Sequence, residues 1–132
     1  MLLILKSCLV LSLLTPLQPV GNQKVVPAPP NIISIDTDFP KKGAWVQIPK
    51  GTKKITFKLK AESTETVLLW LMPTGTQTWH QRKLLGYDIK EDDKDNLFTF
   101  TWNIDRLSIL DHLHIQALGE GIANDTINLI ME

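Results

Sequence analysis

Cysteine is almost missing from this chain. Its single copy, Cys8, lies in the apolar N-terminal stretch of a 132-residue sequence, so the rest can build no intrachain disulfide framework, cysteine zinc site or thiol nucleophile. Net charge is missing too, because 14 Lys plus Arg balance 14 Asp plus Glu. With no global field the composition gives nucleic acid no hold, and none is expected as a partner. The sequence also lacks a GxSxG turn, a phosphate-cradling glycine loop, an HExxH pair and an HxE with CxxC arrangement. Its densest carboxylates lie in an acidic turn at residues 88–96, where water would keep them ionised rather than raise the pKa of a general acid. No catalytic residue and no cofactor are assigned, and the expectation is a protein without enzymatic activity.

What the chain does have is enough apolar material for a core. Hydrophobic residues make up 43% and charged residues 21%, the balance of a folded soluble domain, and the length suits one domain. Residues 1–20 stand apart, with leucines crowded around Lys6 and an apolar run from Cys8 to Leu14, as in a secretory signal. Lys6, Ser7, Thr15 and Pro16 interrupt that run, short of the roughly 20 apolar residues a span needs, so a signal peptide is favoured over a retained N-terminal anchor. Lipidation of Cys8 is disfavoured because the apolar run continues beyond it. Residues 21–31 read as a Pro-rich linker; Pro16, Pro19, Pro27, Pro29 and Pro30 lean toward extended polyproline II. Residues 32–132 are the folded body. The protein is expected to be secreted or at the extracellular surface, meeting a membrane only through its N-terminus if that is uncleaved.

The body reads as successive strands. In residues 54–61, Ile55, Phe57, Leu59 and Ala61 alternate with Lys54, Thr56, Lys58 and Lys60, which predicts one dry and one wet face. Residues 97–104 repeat the pattern, with Phe98, Phe100, Trp102 and Ile104 inward. Residues 66–72 are apolar on both faces and predict a central strand with Trp70 in the core and its outer side covered. Further strands are predicted at 32–36, 44–48, 83–89, 110–118 and 126–131. Seven or eight strands in about 100 residues point to an antiparallel sandwich, with a small barrel as the competing architecture.

Trp70 on a long strand, the block Pro73-Thr74-Gly75-Thr76-Gln77-Thr78-Trp79, Leu84-Leu85-Gly86, Phe98-Thr99-Phe100-Thr101-Trp102 and Leu110-Asp111-His112-Leu113-His114-Ile115 together resemble immunoglobulin-like or fibronectin type III-like modules. The likeness is to such modules of exported Gram-positive bacterial proteins, spans residues 43–130 and is structural. It implies an Ig-like β-sandwich, a kinship of architecture with modules whose role is mostly unassigned, and carries no catalytic residues.

Three features are candidates for chemistry. His112 and His114 would project from one strand face about 7 Å apart, near enough to share a divalent metal, but no third ligand is local; two hydrogen-bonded histidines are the plainer reading, and no metal is favoured. The acidic turn and the pair Asp36 and Asp38 could offer oxygen ligands, yet a solvated hairpin and Asx turn chemistry explain them as well. Lys54, Lys58 and Lys60 line one strand face within an acid-free segment, residues 41–60, whose partner would be an anionic cell-wall polymer or another extracellular protein. Against that, lysines also keep strand edges soluble. Trp79, in a polar connection beside His80 and Arg82, is a candidate to stack on a ligand or to cap the open end of the sandwich. The leading expectation is a secreted or surface binding module without catalytic activity. The alternative is a small secreted metal-binding protein or enzyme using His112 and His114.

Overall fold

The computed structural model of the chain describes residues 26–74, 79–91 and 95–132. The expected signal or anchor, with Cys8, and the first part of the linker lie outside the described residues. None of the described helices is long and apolar enough to cross a membrane.

Alternation decides the first sheet. In β4 (Lys54–Glu62), Ile55, Phe57, Leu59 and Ala61 are buried while the lysines between them are exposed. β7 (Leu97–Asn103) pairs with it antiparallel, so that Ile55 meets Trp102, Phe57 meets Phe100 and Leu59 meets Phe98. β1 (Asn31–Thr37) lies on the other side of β4, giving a three-stranded sheet in the order β1-β4-β7. Such facing pairs are the unit from which a sheet gains stability.

The second sheet takes the remaining strands. β2 (Lys41–Lys42), β3 (Trp45–Gln47), β5 (Thr64–Pro73), β6 (Lys83–Ile89), β8 (Ile109–Gly119) and β9 (Ile122–Met131) form it in the order β2-β3-β9-β8-β5-β6. Val67, Leu69 and Leu71 of β5, Leu113, Ile115 and Ala117 of β8, and Ile127, Leu129 and Met131 of β9 join the inward side chains of β4 and β7 in one core cluster. The protein is therefore an all-β sandwich of two sheets. Its outer faces point in opposite directions, since both inner faces are spent on the shared core.

Three expectations need correction. Nine strands stand among the described residues rather than seven or eight, because Lys41–Lys42 forms a short hairpin with β3. Gly43, at φ 64°, takes the turn position where a side chain would be strained. The sheets are not wholly antiparallel, because β3 runs parallel to β9. Most of the chain separates those two strands, so no hairpin fixes their mutual direction. Trp70 is not in the core. It is half-buried on the outer face of β5, because a strand apolar on both sides carries no signal for which side turns inward.

Two close approaches tie the layers together. A Cβ on Gly86 of β6 would strike the Phe100 ring of β7, so the absence of a side chain there lets the sheets meet. Beside it, Asp88 accepts a hydrogen bond from the backbone N of Thr99 at 2.8 Å, bridging the two strands from opposite sheets. At one end of the core, the buried carboxylate of Asp111 is paired with Arg106 at 2.8 Å.

Candidate ligand-binding faces

The outer face of the six-stranded sheet is built from strand register. Trp70, His114 and Thr126 lie in one cross-strand row on β5, β8 and β9, while Met72, His112, Asn128 and Trp45 form the next through β3. Gln116 and Asn124 stand opposite each other one row further along. Period-two alternation puts all these side chains outward because Leu113, Ile115, Ile127 and Leu129 are inward.

Hydrogen bonds then fix them. His112 Nδ1 lies 2.5 Å from Asn128 Oδ1, and Asn128 Nδ2 donates to the Ala44 carbonyl at 3.1 Å. His114 Nε2 lies 3.1 Å from Asn124 Oδ1, and the Thr126 hydroxyl is 3.5 Å from His114 Nδ1. Trp70 Nε1 donates to Gln116 Oε1 at 2.7 Å, while Gln116 Nε2 donates to Asn124 Oδ1 at 3.3 Å. A chain of side-chain bonds thus runs from Trp70 to His114.

Above this network stands the 3₁₀ turn Trp79–Gln81. The Trp79 ring meets His114 edge-on, with centroids 4.7 Å apart and planes at 81°. The Arg82 guanidinium lies 4.2 Å from the Trp70 ring centroid and 4.1 Å from that of Trp79, a cation held between two indoles. It also donates to the Trp79 carbonyl at 3.2 Å, whereas Arg82 Nε is buried without a hydrogen-bond partner among the described residues. His114 is only 7% exposed, which corrects the expectation of a wet-face histidine. Burial lowers its pKa from the ordinary value, the Asn124 hydrogen bond opposes that shift, and Arg82 adds to it. Trp79 lies on the sheet face over His114, not across an open end, and remains 47% exposed.

The opposite outer face carries the lysine stripe. Lys54, Lys58 and Lys60 are exposed on β4, opposite Asn103, Thr99 and Leu97 of β7. Thr56 and Thr101 lie between them with their hydroxyls 3.1 Å apart. Asp36 of β1 faces Lys58 in register, but no ion pair forms there; Arg106 with Asp111 is the salt bridge found among the described residues. The stripe and Trp79 are therefore on opposite sides of the sandwich and cannot line one site.

The remaining candidates have structural duties. Asp38 accepts a hydrogen bond from the backbone N of Thr56 at 3.3 Å, and Asp95 from that of Leu97 at 2.8 Å. Residues 92–94 of the acidic turn lie outside the described residues. No group of three His, Cys, Asp or Glu residues placed to hold a metal occurs among the described residues. Sequence reasoning missed Gln116, Asn124, Thr126 and Asn128. The alternation Asn124, Thr126, Asn128 along β9 carried a signal for the last three, whereas Arg82, named only as a neighbour of Trp79, gave no sign that it would reach Trp70 as well.

No protein-family model matches the chain, and no curated protein does. Among solved structures, the superoxide reductase (neelaredoxin) from Ignicoccus hospitalis is similar in fold, with 12% identity, 76% of this chain and 82% of that chain covered, and a TM-score of 0.53. At that identity the likeness speaks to the β-sandwich fold alone.

Proposed function

We propose that this protein is a non-catalytic binding module, exported to the cell surface or beyond, that engages an anionic polymer through Lys54, Lys58 and Lys60. The kinship proposed for it is with the immunoglobulin-like modules of exported bacterial proteins. The observation that carries the reading is the place of the stripe. β4 is the middle strand of its sheet, flanked by β1 and β7, so these lysines do not serve to guard an open edge. They stand exposed and outside any salt bridge among the described residues, on a face they share with Thr56, Thr99, Thr101, Asn103 and Leu97 and with Asp36 of β1 in register with Lys58.

The name of the structural neighbour raises an enzymatic alternative, for which His112 and His114 are the residues at hand. Their hydrogen bonds to Asn128 and Asn124 already engage one nitrogen of each ring, and no third ligand stands with them among the described residues. Those bonds support the binding module over the metal site.

The test is co-sedimentation with polyglutamate-coated beads at low and high salt. Binding should be weak, should vanish as salt shortens the screening length below about 8 Å, and should be lost in the Lys54→Gln, Lys58→Gln, Lys60→Gln triple variant with its fold intact. Binding that survives both treatments would exclude the stripe.

A further inference from the structure

The outer face of the six-stranded sheet presents a different chemistry. Trp79 is 47% exposed although Arg82 lies 4.1 Å from its ring and His114 packs edge-on. The guanidinium meets one face of the ring, and nearly half of the residue is open to solvent. Large exposed indoles that are merely unpaired lose nothing by moving. This one is held by a cation on one face, an imidazole at its edge and a hydrogen bond from Arg82 to its own carbonyl.

The surroundings narrow what could lie on that ring. A cationic ligand would meet the Arg82 charge beneath the same ring, which disfavours it. A wholly apolar partner would cover the amides of Gln116 and Asn124 and the Thr126 hydroxyl and leave them without water. A pyranose ring fits both demands, because its axial C–H face is apolar while its edge carries hydroxyls that donate and accept. Gln116, Asn124 and Thr126 supply neutral partners of the matching kind along β8 and β9.

We propose that Trp79, braced by Arg82 and His114, is a stacking platform for a neutral sugar ring of a polysaccharide chain, independent of the lysine stripe on the opposite face. The site uses no charge of the ligand, so its binding is insensitive to salt.

Tryptophan fluorescence of the full chain, titrated with cellohexaose and with chitohexaose, tests the site. At least one of these probes should give a saturable change with a Kd on the order of 1 mM. It should persist at about 1 M salt, where screening has removed charge-driven binding. Trp79→Ala should weaken it at least about tenfold, with Trp79→Phe intermediate, because a smaller ring keeps part of the stacking surface. The triple lysine variant should bind the sugar as the parent does. No saturable change with either probe, or unchanged binding by Trp79→Ala with a native circular dichroism spectrum, would overturn the proposal. Loss of sugar binding in the folded triple lysine variant would overturn the independence of the two faces. Failure on polyglutamate with success on the hexasaccharides would remove the stripe and leave the platform standing.

Discussion

The two outer faces of this sandwich rest on the same core yet are organised in opposite ways. On the three-stranded sheet, Lys54, Lys58 and Lys60 stand exposed and outside any salt bridge among the described residues, with the Thr56 and Thr101 hydroxyls linked across the strands between them. On the six-stranded sheet, Trp70, Gln116, Asn124, His114, Trp79 and Arg82 are joined by hydrogen bonds, an edge-on ring contact and a cation between two indoles. Long charged side chains lose entropy when a ligand fixes them, while a braced indole has already lost its freedom on folding. The first face is suited to diffuse, salt-dependent attraction, and the second to stacking in a set geometry.

The largest effect should come from the core on which both faces depend. Trp102→Ala empties a site that is 7% exposed on the inner side of β7, and should cost about 3 to 5 kcal/mol in urea denaturation. A loss below about 1 kcal/mol would mean that the sheets do not share the core and that the faces are not back to back. Next comes Gly86→Ala. The new methyl group would strike Phe100, so the sheets must part or the ring must turn, for a loss of about 1 to 3 kcal/mol by the same assay. An unchanged midpoint would show that β6 and β7 are not in close approach.

Smaller effects separate the faces themselves. Trp79→Ala should lower stability by about 1 kcal/mol, since it uncovers His114 and frees Arg82, whereas Lys58→Gln should change it by less than about 0.5 kcal/mol. Equal effects would erase the distinction. The pH dependence adds a finer test. With the folded pKa of His114 below the ordinary 6.5, the unfolded chain binds the proton more readily. Stability is therefore full above about pH 6.5, and falls as pH drops through the window between 6.5 and the lowered folded value. His114→Gln should flatten that part of the stability curve measured between neutral and mildly acid pH. A curve as steep as that of the parent would place the titration elsewhere.

Much of the fold was legible because two strands alternate cleanly. β4 and β7 present Ile55, Phe57, Leu59, Phe98 and Trp102 at period two, and all are buried. Where the alternation fails, so does the reading. β5 is apolar at successive positions from Val67 to Met72, and nothing in that run tells Trp70 from Leu69, although one faces outward and the other is buried. The parallel pairing of β3 with β9 was equally hidden, because it joins segments with no turn between them. The candidate residues fared in the same manner. The exposure of the lysines followed from parity alone. The assembly around Trp79 needed the three-dimensional meeting of a turn, Arg82 and three strands, which no local spacing records.

Side-chain ¹⁵N relaxation measured on one sample tests the contrast between a fixed and a mobile face most directly. The Trp79 indole Nε1–H and the Arg82 Nε–H should show order parameters near about 0.85, the value of a rigid backbone, while the ammonium groups of Lys54, Lys58 and Lys60 move freely. Trp79 and Arg82 order parameters below about 0.6, as low as those of any solvated side chain, would contradict the account.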